Sequence, residues 1–222
     1  MTREGRPTIL VRHARDAGVW IALTLFSSCA SETLPEPMFA KSVRSHCPAI
    51  SSADYYYPPG FVIPDRERLD TAQRDALSRY LRTIEARSLS CGDEVTEAYR
   101  LVYAHSFGQA FIVTVATTGS EWNLAAAEFA AFHRQPPWTV TRRVSRVLSA
   151  QETLQLLGGL KEAGFWTMVP TWKEFLGQDG GTLMIEGRRR KGYRTVSRPS
   201  WPKDSFGEAG RRFVRLAGFI EP

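Results

Sequence analysis

Asp179 and Glu186 stand seven residues apart, on either side of Gly180 and Gly181. Two carboxylates held about 5–10 Å apart can work as acid and base in glycoside hydrolysis. His105 or His133 could then carry a proton to or from the pair. The same residues also have structural uses. Asp-Gly-Gly suits a tight turn before a strand, and Glu186 can pair across a hairpin with Arg194 or Arg198. The chain contains no Gly-x-Ser-x-Gly and no His-Glu-x-x-His. No catalytic residue is therefore assigned, and a hydrolase acting on envelope polymer through Asp179 and Glu186 is the alternative to a structural or interaction role.

A second candidate is the basic run Arg188, Arg189, Arg190 and Lys191, with Trp166, Trp172, Tyr193 and Trp201 nearby in sequence. A cationic turn beside aromatics can meet lipid phosphate, an acidic polymer or an acidic protein surface, and its binding would fall with salt. A solvated turn above a core tryptophan would show no such dependence.

The third candidate is covalent. The stretch from Ala17 to Ser28 is the most apolar in the chain, follows Arg3, Arg6, Arg12 and Arg15, and ends in Phe26-Ser27-Ser28-Cys29. About a dozen apolar residues are too few to span a hydrocarbon core but suit the h-region of a secretory signal. Phe26 to Cys29 resembles a bacterial lipobox, with Phe26 where leucine is usual. That resemblance implies cleavage before Cys29 and acylation of its sulfur, a lipid anchor to the membrane and a periplasm-facing protein. Ala30 and Ser31, with no aspartate after the cysteine, imply the outer membrane. The alternative is an ordinary signal peptide cut near Ala30 and release into the periplasm.

Three cysteines make an odd count, and lipid on Cys29 leaves Cys47 and Cys91 to form a disulfide in an oxidising compartment. Two unrelated thiols remain the alternative. With only His46 close by, neither cysteine has the ligand set of a zinc site, and neither a metal nor a cofactor is expected. The 222 residues are 43% hydrophobic, which is globular composition. Loss of residues 1–28 lowers the net charge from +6 to +4. Lys and Arg are not clustered along one element as in nucleic-acid binders, so no nucleic-acid partner is expected.

These groups need elements to position them. Residues 29–53 read as a flexible tether and 54–222 as one domain. In Ala53-Asp-Tyr-Tyr-Tyr-Pro-Pro, the prolines favour an extended strand. Tyr55, Tyr56 and Tyr57 then pack on the domain or offer a sugar-stacking platform. Leu69, Ala72, Ala76, Leu77, Tyr80, Leu81 and Ile84 form an amphipathic helical stripe, started by Asp70 with Gln73 or earlier at Asp65, with the arginines on a solvated face. EAYRLVYAHSF, QAFIVTVATTG, EWNLAAAEFAAF and WTVTRRVSRVL read as strands.

Ser149 and Glu152 form a capping box for a helix burying Leu154, Leu157 and Leu160 and ending at Gly164. GTLMIEG and GYRTVSR form a hairpin with Arg188 to Lys191 on its turn. Ser205 and Glu208 open a last helix that Gly218 ends. Strands, helix, hairpin and helix without βαβ alternation predict an α+β fold, an antiparallel sheet packed with two or three helices.

In this order, Glu97-Ala-Tyr-Arg100, Leu148-Ser-Ala-Gln-Glu152, Phe165-Trp166 with Pro170, Asp179-Gly180, Glu186-Gly187, Tyr193 with Val196, Arg198-Pro199, and Gly207 to Gly218 form an outline. Over about 120 residues it resembles a set of bacterial hypothetical proteins. Arg198-Pro-Ser-Trp-Pro202 stands where those carry a Trp-Ser-Pro arrangement. The resemblance implies a shared fold and brings no activity.

Overall fold

A computed structural model describes residues 41–42, 44, 46–60, 62, 67–91, 97–105, 108–130, 139–170, 180–190 and 192–221. Cys29, Asp179, Lys191, His133 and Trp172 lie outside the described residues, as does the expected signal segment. Alternating strands dominate the middle of the chain: β2 (Glu97–His105), β3 (Ala110–Thr118), β4 (Glu121–Phe129) and β5 (Val140–Val147). Later come β6 (Gly181–Arg189) and β7 (Gly192–Pro199). These six form one antiparallel sheet in the order β7-β6-β2-β3-β4-β5. A two-residue strand, β1 (Lys41–Ser42), extends it beyond β7. The helices are α1 (Ala53–Tyr56), α2 (Glu67–Thr83), α3 (Ala150–Glu162) and α4 (Ser205–Ala217). The fold is α+β.

The period of two along each strand sends alternate side chains to opposite faces, and each face carries its own core. On one face Leu101, Val113, Leu124 and Ile185 pack with Leu156 and Leu160 of α3 and with Phe206, Phe213 and Val214 of α4. On the other, Val102, Ile112 and Met184 pack with Leu77, Tyr80 and Leu81 of α2 and with Tyr56 and Tyr57.

The helix faces differ from expectation. On α2, Leu77, Tyr80 and Leu81 are buried as expected, but Leu69, Ala72 and Ala76 face solvent. Asp70 and Arg74 take the inward positions and pair at 2.7 Å. An ion pair has displaced the apolar stripe. On α3, Leu156 and Leu160 are buried, whereas Leu154 is 71% exposed. With Leu157 half-buried against the same core, the helix is rotated by roughly a quarter turn from the expected seam.

Both ends of α3 follow local rules. The Ser149 hydroxyl accepts from Glu152 N, and Glu152 Oε2 accepts from Ser149 N at 2.8 Å, a complete capping box. At the other end Phe165 N donates to Leu160 O and Gly164 N to Lys161 O, with Gly164 at φ 64. This is the two-bond Schellman closure, and Phe165 joins the core beside Leu160. For α4 the cap is Asp204, one residue before the expected Ser205; its carboxylate accepts from Gly207 N at 2.9 Å. Glu208 instead serves Arg215 and Arg211. Gly218 closes the helix at φ 66.

The N-terminal boundary also shifts. Within the expected tether, Lys41 pairs with Tyr193 and Arg44 bridges to Cys91, while Cys47 and Cys91 form a disulfide with Cα atoms 5.6 Å apart. The domain begins no later than Lys41. The tyrosine stretch is not an extended strand: Ala53–Tyr56 is one helical turn, and Tyr56 and Tyr57 are fully buried.

Glu152 gives this architecture a pH signature. Arg146, then the backbone and hydroxyl donors of Ser149, hold its carboxyl at about 2, below the ordinary 4.5. Arg146 also donates to Leu216 O, so this pair ties β5 to α3 and α4. A depressed acid stabilises the fold above its unfolded value and loses that contribution as pH falls toward the folded value. Between pH 4.5 and 2 the melting temperature of wild type is expected to fall more steeply than that of Glu152→Gln. Parallel curves would contradict the assignment.

Candidate functional site

The face beneath α1 and α2 carries an unusual row. Register places Arg100 of β2 opposite both Thr114 of β3 and Glu186 of β6, with Thr195 of β7 opposite Glu186. All four point the same way because paired residues share a face. Arg100 is 2% exposed and Glu186 0%.

Each of the three guanidinium nitrogens of Arg100 donates. Nε donates to Thr114 Oγ1 at 2.9 Å, Nη1 to Glu186 Oε1 at 3.0 Å, and Nη2 to Arg87 O at 2.6 Å. The Tyr193 hydroxyl donates to Glu186 Oε2 at 2.9 Å. Tyr57 lies over the same group, its hydroxyl buried with no hydrogen-bond partner among the described residues. Burial pushes the Glu186 carboxyl above its ordinary range, and Arg100, Tyr193 and Tyr57 oppose that shift. Burial, then the Glu186 charge, pushes the Tyr57 and Tyr193 phenols well up.

An ion pair so enclosed gains stability only if its remaining polar atoms are hydrogen-bonded, and here every guanidinium nitrogen and both carboxylate oxygens are engaged. The partner is Arg100, not the expected Arg194 or Arg198. Those two lie at alternate positions of β7, opposite Gly187 and Leu183, and turn to the other face. Arg198 there bonds the carbonyls of Val169 and Pro170.

The acid–base expectation finds no assembly among the described residues. His105 pairs with Gly181 at the far end of β2, about 17 Å along the strand from Arg100. Glu186 is covered by Tyr57 and gripped on both oxygens. No group of three His, Cys, Asp or Glu side chains is placed to hold a metal among the described residues.

Nor do the basic residues form one cationic tip. Arg188 and Arg189 belong to β6 rather than to the turn. Arg188 is 2% exposed and directs Nη1 at Cys91 O. Arg189 lies over the Trp166 ring, 4.6 Å from its centroid, a cation–π contact. Trp166 in turn reaches Tyr99, whose hydroxyl donates to Glu97 at 2.6 Å. Of the described members of the run, Arg190 alone is exposed, at the turn with φ 50. Trp201 bonds Gly207 O and packs against Tyr103.

Arg100 and Tyr193 escaped assignment as site residues, although a signal existed. Arginine amid the apolar residues of EAYRLVY must either bend the strand or find a buried carboxylate. No protein-family model, curated protein or solved structure matches this chain.

The two tyrosines over Glu186 differ in a measurable way. Tyr193→Phe removes a hydrogen bond to a charged group and is expected to cost about 1.5–3 kcal/mol. Tyr57→Phe removes a hydroxyl that lies near Glu186 and favours its charge without making a hydrogen bond, and is expected to cost clearly less. Chemical denaturation of the two variants checks this; equal losses would contradict the geometry.

Proposed function

We propose that the chain is a cell-envelope lipoprotein, anchored through lipid on Cys29, whose α+β domain works as a structural or interaction module at the membrane. The observation that carries this reading is the disulfide between Cys47 and Cys91. It consumes two of the three cysteines and leaves the one that follows the apolar run and two serines. A bonded pair of this kind belongs to an oxidising compartment, which agrees with export. Two or three acyl chains, at about 0.8 kcal/mol per buried CH₂, anchor a protein stably.

The enclosed Arg100–Glu186 pair favours a structural role over acid–base chemistry, because neither group meets solvent in this conformation. The outer membrane, facing the periplasm, is the proposed location. An envelope protein or an anionic envelope polymer is the proposed partner.

Metabolic labelling with palmitate, with detergent-phase partitioning of the same samples, tests the anchor. Label and detergent partitioning on wild type, with both lost in Cys29→Ala, is the expected result. A wild-type protein that takes no label and stays in the aqueous phase would overturn the lipid anchor.

A further inference from the structure

Residues 46–60, with Arg44 and Val62, lie on the face that carries the polar row, and their attachments fall into two groups. One is centred on residues 88–91. Arg44 N donates to Ser90 O at 3.1 Å, Arg44 Nη2 to Ser90 Oγ at 2.7 Å, and Ser90 Oγ to Tyr56 O at 3.0 Å. The Cys47–Cys91 bond belongs to this group. The other is centred on α2. Asp70 accepts from Gly60 N at 2.9 Å and Val62 N at 3.1 Å, while Arg74 bonds Tyr57 O and Asp54. Between these anchors Tyr56 and Tyr57 are pressed onto the sheet.

We propose that this segment is a redox-latched strap, held over the Arg100–Glu186–Tyr193 row by the Cys47–Cys91 disulfide and released when a dithiol reduces it. Three features support release of the strap alone. First, the bond is asymmetric in access: Cys47 is exposed and Cys91 is 6% exposed. A dithiol's thiolate can therefore attack Cys47 Sγ, expelling the Cys91 thiolate, which takes up a proton. The second thiol of the reagent then displaces Cys47 from the mixed disulfide. The dithiol is oxidised to its disulfide, and the protein gains two electrons and two protons.

Second, the closed strap carries an unmet polar cost. The Tyr56 and Tyr57 hydroxyls are buried without a hydrogen bond among the described residues. Opening returns water to both groups. Third, among the described residues the strap tyrosines pack with the face bearing α2, while α3 and α4 build a separate core on the opposite face. The sheet can keep that second core when the strap lifts, which is the behaviour of a local unfolding unit.

Hydrogen exchange on the full chain, oxidised and after dithiothreitol, tests the proposal. Amides of Tyr55, Tyr56, Tyr57 and Val62 are expected to exchange at least tenfold faster after reduction. Those of α3, α4, β3 and β4 should stay within about twofold. The Cys47→Ser, Cys91→Ser double variant should show the fast pattern without reductant. Unchanged strap exchange would overturn the latch, and equal acceleration of every element would show global loosening instead.

Discussion

Arg100 and Glu186 are opposite charges in the interior of a sheet, and most of the architecture on that face is what their burial requires. Glu186 needs both oxygens satisfied, which calls on Arg100 from β2 and on Tyr193 from β7. Beyond Glu186, Arg100 calls on Thr114 from β3 and on the Arg87 carbonyl before β2. One pair thus draws on four strands and the approach to one of them. A slip of one residue in β2 or β6 would send a charge to the opposite apolar core, so the pair specifies register as much as it contributes stability.

The two faces answer different demands. The face under α3 and α4 is built of Leu, Val, Ile and Phe, and Phe165 lies so close over Gly187 that a Cβ there would meet its ring at 2.6 Å. The face under α1 and α2 mixes apolar contacts with ion pairs, Asp70–Arg74 beside the Arg100 row. A polar face needs a cover that excludes water while leaving few groups unpaired. The tyrosine segment provides most of this, and the Cys47–Cys91 bond ties the chain just before it to the end of residues 88–91.

How much of this the sequence discloses follows from the range of the interactions involved. The β2–β3 pair, the Ser149–Glu152 box and the Gly164 and Gly218 stops depend on neighbours a few residues apart, and they were legible. The strand in EWNLAAAEFAAF was legible from its place after a Gly-Ser turn, against its alanines. The inward turn of Asp70 and Arg74, and the burial of Arg188, depend on partners far along the chain, such as Asp54 and the Cys91 carbonyl. Charged residues on a helix read as solvated because most are. Glu186 stands out in the sequence, and the hairpin suggests Arg194 or Arg198 as its partner, whereas β6 has two neighbours and the arginine comes from the other one. The exposed Leu154 shows the limit of a three-residue spacing, which Leu156 and Leu160 match equally well at four.

A carboxylate locked between an arginine and a tyrosine is a fastening rather than an accessible acid or base. A double-mutant cycle with Arg100→Met and Glu186→Leu, read by denaturant unfolding, tests this most directly. Each single change should cost about 3–5 kcal/mol by stranding a buried charge, and the double change should cost far less than their sum. Losses that simply add would show that the two residues do not depend on each other, and would contradict the account.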